Sequence, residues 1–142
     1  MRHGYTLLEL ALVLAVAGLT LGIALPRLSA LHDTLEVERA ARELVTAHRR
    51  ARIAAILRGR PVVLAISPDS LACRIAGGTG RLWKRPGPAG TGVQMAGPVR
   101  QITFSPVGLT VGLANASYRF TRGSASRTVV ISRLGRVRIT RP

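Results

Sequence analysis

The stretch Gly4–Pro26, GYTLLELALVLAVAGLTLGIALP, is an apolar run close to the beginning of the sequence. Between Leu10 and Leu25 it carries no charge, and Thr20 is its one polar side chain. Counted from Tyr5, it has about the twenty residues that an α-helix needs to cross the hydrocarbon core of a bilayer. The stretch therefore predicts a membrane-spanning helix.

A single carboxylate, Glu9, lies near the start of this segment, after the short basic leader Met1-Arg2-His3-Gly4. A charge inside a membrane segment costs roughly 2.5–3.5 kcal/mol on insertion scales, so such a residue is expected to have a task and a partner. A secretory signal peptide is one alternative, but Pro26 and Arg27 make a poor cleavage context after the apolar run. A plain signal anchor is a second alternative, and it has no need of Glu9.

The combination of Gly4, Tyr5, Glu9 and Pro26 resembles the N-terminus of type IV prepilins and of the pseudopilins of type II secretion. The resemblance implies that a prepilin peptidase cleaves after Gly4 and methylates Tyr5 as the new N-terminus. It also implies that Glu9 of one subunit neutralises the N-terminus of its neighbour during assembly. Tyr5 stands where the family usually has phenylalanine, and since both are aromatic we expect processing to be retained.

Beyond Pro26 the apolar residues recur three or four apart, which indicates one stripe along a helix. The predicted stripe comprises Leu28, Leu31, Leu35, Ala41, Leu44, Val45, His48, Ala55 and Ile56. The sequence Gly59-Arg60-Pro61 then ends the helix. We therefore expect one long helix over residues 5–58, weakened or kinked near Gly22 and Pro26, whose part 5–26 is the membrane and assembly segment.

From Pro61 the apolar pattern changes to the alternation that is typical of β-strands. Strands are predicted at residues 61–67, 71–76, 81–85, 99–104, 109–113, 117–121, 128–132 and 137–140, and a flexible Gly/Pro-rich loop at 86–92. Short strands without intervening helices indicate an antiparallel sheet or a small sandwich. The predicted fold class is therefore α+β and pilin-like, with a leader (1–4), a long N-terminal helix (5–58) and a β-rich head (59–142).

Three later segments resemble GspH/FimT-type minor pilins in particular. They are the helix-to-strand junction Arg49–Val62, the turn Phe104-Ser105-Pro106-Val107-Gly108, and the closing hairpin Arg127–Arg138. The resemblance implies a bacterial inner-membrane protein with a single span and a periplasmic head, which then enters a periplasmic or surface filament. Its implied partners are the prepilin peptidase, the inner membrane and other pilins or pseudopilins.

The chain is strongly basic, with 21 Lys and Arg against 6 Asp and Glu and a net charge of +15. Such a field attracts polyanions. Arg136 and Arg138 share one face of the last predicted strand, and Arg119 points outward between Tyr118 and Phe120, because side chains alternate along a strand. A Gly-Arg-x-Arg end of this kind resembles the DNA-binding element of FimT-type minor pilins, which would hold duplex DNA through its phosphates. The alternative is a solvated basic hairpin that protects edge strands from pairing.

Residues suited to catalysis are scarce in the β-rich part, where Asp69 is the one acid and histidine is absent. His32 and His48 lie on the helix and are expected to be ordinary surface or semi-buried histidines. Cys73 is the one cysteine, so an intramolecular disulfide is excluded, and its apolar alternating run predicts a buried small side chain. We expect no enzyme activity, no cofactor and no metal site.

These observations favour a structural minor pseudopilin of the GspH type, assembled near the tip of a type II secretion filament or a related pilus. The alternative is a FimT-type minor pilin that binds duplex DNA for uptake. A major pilin subunit is a third and weaker interpretation, because the Phe-Ser-Pro-x-Gly and Gly-Arg-x-Arg features indicate the minor family.

Overall fold

The computed structural model describes residues 6–78, 80–112 and 114–141, and the side chains of residues 23–26 within the helix are not described. Helix α1 runs from Leu7 to Arg58. It ends where Gly59 adopts the left-handed conformation (φ +58°) and donates its N–H to the Ile56 carbonyl at 3.2 Å. The predicted long helix and its end are thus confirmed, while the predicted weakening near Gly22 and Pro26 stays a prediction.

Nine strands follow the helix among the described residues. They are β1 (Val62–Ile66), β2 (Ser70–Ile75), β3 (Arg81–Pro86), β4 (Gln94–Ala96), β5 (Arg100–Phe104), β6 (Thr110–Val111), β7 (Ala116–Arg122), β8 (Ala125–Ile131) and β9 (Val137–Thr140). They form a first sheet in the order β3-β2-β1-β5-β6 and a second sheet in the order β4-β7-β8-β9. Every paired neighbour is antiparallel, which confirms the α+β pilin-like fold class.

The chain divides into two compact units, Met1–His32 and Asp33–Pro142. In the first unit the described residues form the beginning of α1. In the second, hereafter the head unit, the rest of α1 buries one stripe of small and medium apolar side chains against both sheets. This stripe consists of Val37, Ala41, Leu44, Ala47, Ala51 and Ala55. Because four of the six are alanines, the helix can lie close to the sheets.

The predicted stripe was wrong at its beginning and at its end. Leu28, Leu31 and Leu35 are 55–60 % exposed, and Ile56 is 48 % exposed. Within the head unit, the buried apolar stripe of the helix begins at Val37, and Leu35 before it is exposed. The exposed leucines and the buried stripe share the same 3.6-residue period, so periodicity alone could not distinguish them.

The Gly/Pro-rich segment at 86–92 is ordered rather than flexible. It forms a 3-10 turn at Pro88–Thr91 and is tied to the β1–β2 turn by two backbone hydrogen bonds. Gly87 donates its N–H to the Asp69 carbonyl at 2.8 Å, and Ala89 donates to the Pro68 carbonyl at 3.0 Å. Strand β4, which follows this segment, was not predicted, because three residues are too few to show an alternation.

Candidate functional site

The start of α1 is fixed by Thr6, whose Oγ1 accepts a hydrogen bond from the backbone N–H of Glu9 at 3.2 Å. The pattern Thr6-x-x-Glu9 is the sequence signature of a helix N-terminus, which the sequence analysis did not use. The cap engages the backbone of Glu9 and leaves its exposed carboxylate without an ion pair to any other described residue. Gly4 and Tyr5, the predicted cleavage and methylation positions, lie outside the described residues.

The first part of α1 is apolar and exposed throughout its described side chains. The most apolar window of 18 residues has a mean hydropathy of 2.3, and none of its residues is buried within the chain. Among the described residues, α1 is the single helix long and apolar enough to cross a membrane. A row of leucines and valines without cover is stable in lipid or against other apolar helices, and not in water.

The outer face of the second sheet carries Arg119 and Arg138, and Arg136 lies in the turn just before β9; all three are exposed as predicted. The register of β7, β8 and β9 aligns Arg119 with Thr128 and Arg138 with Val130. From the ordinary strand spacing and rise, the Cα atoms of Arg119 and Arg138 lie about 12 Å apart, and those of Arg136 and Arg138 about 7 Å apart. Among the described residues no carboxylate pairs with these three arginines, so the face holds uncompensated positive charge.

Other arginines that neighbour this group in sequence turn toward the helix instead. Arg122 Nε lies 2.9 Å from Asp33 Oδ1, and Arg127 Nε lies 2.8 Å from Glu38 Oε2. The hydrogen bond from Arg127 lowers the pKa of the Glu38 carboxyl below its usual value, against the opposing effect of burial. These pairs tie α1 to the second sheet.

A third pair, Arg85 to Glu43 at 2.9 Å, ties α1 to the end of β3 in the first sheet. Of the described acids in the head-unit part of the helix, three therefore neutralise arginines of the sheets. These three carboxylates belong to α1 and are engaged there, and no described carboxylate pairs with Arg119, Arg136 or Arg138.

His48 is almost completely buried, more than the sequence predicted, and its ring meets that of Phe104 edge to face at 5.0 Å between centroids. Both ring nitrogens are shielded from solvent and have no hydrogen-bond partner among the described residues. Burial lowers the pKa of His48 to about 4, and the positive charges of Arg52 and Arg49 act in the same direction. A neutral, buried histidine without an acidic or hydroxyl partner is part of the core and not a general base.

Cys73 is fully buried, as predicted, and burial raises the pKa of its thiol to about 11, which disfavours the reactive thiolate. Among the described residues no three His, Cys, Asp or Glu side chains cluster in a way that could hold a metal ion. His32 is an exposed residue of α1.

The Phe104–Gly108 turn packs against the end of α1. Ser105 and Gly108 close the turn with a 2.8 Å backbone hydrogen bond, and Gly108 has φ +78°. A Cβ atom at Gly108 would lie 2.7 Å from Ile56 Cδ1, so the turn sits directly on the last turns of α1. The motif therefore has a structural purpose, which is to join β5 to the end of the helix.

A long helix that is bare and apolar at its start and packed on antiparallel sheets over its second half defines a pilin-like protein. The chain belongs to the GspH family: the model of the type II transport protein GspH matches residues 40–135. The family is one of structural pilins, in which subunits assemble with other pilins into filaments.

Two further comparisons agree with this family. The chain is 34 % identical to the pilin-like protein PilA1 of Thermus thermophilus over 161 aligned residues, covering 97 % of this chain and 98 % of that protein. Its fold is similar to crystal structures of the type IV minor pilin FimU of Pseudomonas aeruginosa. The TM-scores are 0.65 and 0.60 at 20 % identity, with 78 % and 73 % of this chain and 92 % of each FimU chain covered.

Proposed function

We propose that this protein is a structural minor pseudopilin, processed by a prepilin peptidase and assembled near the tip of a type II secretion filament or a type IV pilus-like filament. The observation that carries the proposal is the exposed apolar start of α1 on a chain whose head matches the GspH family. In this proposal the precursor spans the inner membrane once with its head in the periplasm. Cleavage after Gly4 exposes Tyr5, which is then methylated.

Glu9 is proposed as the assembly residue because its position combines three properties. It lies in the first turn of α1, its carboxylate is exposed, and the Thr6 cap uses its backbone N–H only. After cleavage, the positive N-terminus at Tyr5 and the negative Glu9 would each be costly alone in lipid. Pairing the N-terminus of one subunit with Glu9 of the next removes both costs and sets the register between adjacent helices.

The experiment compares Glu9→Ala with Thr6→Ala in the native host. We expect Glu9→Ala to be cleaved and methylated normally but to be missing from sheared filaments. Thr6→Ala loses the helix cap, which is worth about 1 kcal/mol, keeps the carboxylate and enters filaments. Normal incorporation of Glu9→Ala would overturn the assigned role.

Duplex DNA binding is the second candidate, favoured by the uncompensated outer face of the second sheet. By strand spacing and rise, the Cα atom of Arg138 lies about 12 Å from that of Arg119 and about 7 Å from that of Arg136, and Arg119 and Arg136 are about 16 Å apart. Guanidinium groups at this spacing can contact successive phosphates of a duplex without reading its bases. Such a pilin would serve DNA uptake instead of secretion.

The test is a binding titration of a head fragment, residues 30–142, with duplex DNA across a salt series. The fragment is suitable because it contains the hydrophobic core of the described residues, which runs from Val37 to Ile131, and also Val137 and Ile139, which pack against that core. Loss of two phosphate contacts in Arg136→Ala/Arg138→Ala reduces the slope of log K against log salt by about 2. The control is Arg49→Ala/Arg50→Ala, which removes the same charge from the exposed side of the helix.

If the sheet variant loses most of its affinity and the helix variant keeps it, the basic face binds DNA. If both variants lose affinity equally, the attraction is due to net charge alone, and the secretion pseudopilin is the better description.

A further inference from the structure

Two turns of the head unit lie beside the end of α1. The register of β1 with β5 brings the end of β5 next to the beginning of β1, which directly follows the helix. The turn 105–109 contacts the last turns of α1 at Gly108, and Thr110 Oγ1 donates a hydrogen bond to the Arg133 carbonyl in the turn 132–136 at 2.9 Å. These two turns and the last turn of α1 together form what we call the α1 end of the head unit.

Each element of the α1 end exposes a large apolar side chain. Leu134 in the turn before β9 and Leu57 in the last turn of α1 are both 78 % exposed, and Val107 in the turn after β5 is 73 % exposed. Exposed apolar side chains that gather in one part of a protein surface mark an interaction site. The α1 end therefore has the character of a binding surface.

The turn that carries Leu134 has a fixed backbone. Ser132 donates its N–H to the Arg136 carbonyl at 2.8 Å, and Gly135 donates its N–H to the Ser132 carbonyl at 2.9 Å. Gly135 has φ +73°, and a Cβ atom there would lie 2.8 Å from Thr110 Cγ2, so the turn is packed against β6. Because the turn is already ordered, burying Leu134 against a ligand costs little conformational entropy.

Among the described residues, the charges at the α1 end are all positive. The exposed Arg133 and Arg136 flank Leu134, and the exposed Arg58 and Arg60 follow Leu57. The acids of the head unit are Asp33, Glu36, Glu38, Glu43 and Asp69.

All five acids lie toward the opposite end of the head unit. Three of them pair with arginines at the end of β7, in the first half of β8 and at the end of β3. Glu36 lines a pocket together with Gly87, and Asp69 lies in the turn between β1 and β2. The register of the strands places these positions away from the α1 end. The α1 end therefore favours an anionic ligand.

Exposed apolar side chains beside guanidinium groups suit the surface of an anionic bilayer. Apolar side chains enter the boundary between headgroups and acyl chains, while arginines contact the lipid phosphates. Duplex DNA would engage the arginines but leave Leu134 and Leu57 in water. A protein partner needs a surface of complementary shape, whereas fluid lipid adapts to apolar side chains that project from separate elements.

We propose that the α1 end of the head unit binds the surface of an anionic phospholipid bilayer. Leu134, Val107 and Leu57 enter the headgroup region, and Arg133 and Arg58 contact phosphates. This contact is separate from the apolar start of α1. It goes beyond the proposed filament function and does not require it.

The experiment uses the full-length chain, with its apolar helix embedded in nanodiscs of phosphatidylcholine, so that the head unit is free to meet added vesicles. Sedimentation of sucrose-loaded vesicles measures binding to equal parts of phosphatidylglycerol and phosphatidylcholine, and to phosphatidylcholine alone. We expect binding to the anionic vesicles that weakens with added salt, and none to the neutral vesicles. A chain that does not bind the anionic vesicles would overturn the proposal.

Leu134→Ser keeps the net charge and removes an apolar side chain from the α1 end, so it should weaken binding to the anionic vesicles about tenfold. The control Val99→Ser removes a side chain that is 75 % exposed just before β5, at the opposite end, and should leave binding unchanged. If Leu134→Ser binds as well as the native chain, the attraction is due to charge alone and the proposal is wrong. Equal losses in the two variants would also overturn it, because the contact would then not be specific to the α1 end.

The arginines are tested in the same assay. Arg133→Gln should weaken binding about fivefold, because a basic side chain near an anionic surface contributes about that factor. The control Arg39→Gln removes the same charge from an exposed position of α1 near the acids and should have a smaller effect. Equal effects of the two substitutions would contradict a phosphate contact at Arg133.

Insertion is measured directly with Leu134→Cys labelled with a solvent-sensitive fluorophore, and the native chain is the control for Cys73, which is buried. We expect the emission of the label to shift to the blue with anionic vesicles and to be quenched by brominated lipids. The same label on Val99→Cys should show neither effect. A label on Leu134→Cys that is not quenched would overturn the proposal.

Discussion

Buried His48 makes the stability of the head unit depend on pH. In the folded chain its pKa is about 4, because burial against Phe104 disfavours the charged ring, and Arg52 and Arg49 act in the same direction. In the unfolded chain its pKa is about 6.5. Between these values the unfolded state binds more protons than the folded state, so stability is complete above about pH 6.5 and is lost as the pH falls toward 4.

The size of the effect follows from the two pKa values. The full difference between the two pKa values is worth about 3 kcal/mol, and the part that is lost between pH 7 and pH 5 is about 2 kcal/mol. The matched variant is His48→Leu, which puts an apolar side chain of similar size in the same place. It removes the two ring nitrogens that have no partner among the described residues. The lowered pKa of Glu38 is common to both proteins and so does not contribute to the difference between them.

The assay is urea unfolding of the head fragment at pH 7, 6 and 5, followed by circular dichroism. We expect native stability to fall by about 2 kcal/mol relative to His48→Leu over this range. At pH 7 the variant should be at least as stable as the native fragment, because a buried polar atom without a partner is costly. If the free energy of unfolding changed equally with pH in both proteins, the reasoning would be refuted, because His48 would then be hydrated or partnered.

Two further predictions concern stability, each with a control on the same head unit. Arg127→Ala removes the partly buried partner of Glu38 and should lower the free energy of unfolding in urea by about 1–2 kcal/mol. The control Arg119→Ala, on the outer face of the adjacent strand, should change it by no more than about 0.5 kcal/mol. Equal effects of the two substitutions would contradict the pairing of Arg127 with Glu38. Gly87→Ala places a Cβ atom 2.6 Å from the Ser70 amide nitrogen, so it should lower the melting temperature and reduce the free energy of unfolding by about 3 kcal/mol. The control Gly90→Ala, with open space around the new Cβ atom, should be neutral. A neutral Gly87→Ala would show that the segment at 86–92 moves freely.

The sequence was sufficient for the helix and for most strands, because each has a clear period and a clear end. The helix ends at Arg58 as the Gly59-Arg60-Pro61 signal predicts, and the strand 137–140 was predicted with the bounds of β9. The division of the strands between two sheets could not be predicted, since it depends on which strands pair across long loops. The exposed positions of Leu28, Leu31 and Leu35 were missed because an apolar stripe does not reveal where its partner begins.

For the arginines of the second sheet, too, the sequence predicted local positions but not contacts between distant residues. Alternation along a strand was enough to predict the outward positions of Arg119 and Arg138, whereas Arg136 is exposed in the turn before β9. It could not predict that Arg122 and Arg127 pair with Asp33 and Glu38, because those contacts join residues 89 positions apart and depend on how the second sheet lies on the helix. The ring of Phe104 that covers His48 was unpredictable for the same reason.

The central claim, that this chain is a processed filament subunit, is tested most directly by the N-terminus of the protein extracted from membranes of its native host. Intact-mass measurement and N-terminal fragmentation distinguish the precursor from the mature form. The account predicts a chain that begins at Tyr5, carries one added methyl group on its α-amine, and lacks residues 1–4. A chain that retains those residues, or one that is cut beyond Pro26, would contradict the account, because its helix could not then present Glu9 beside a free N-terminus.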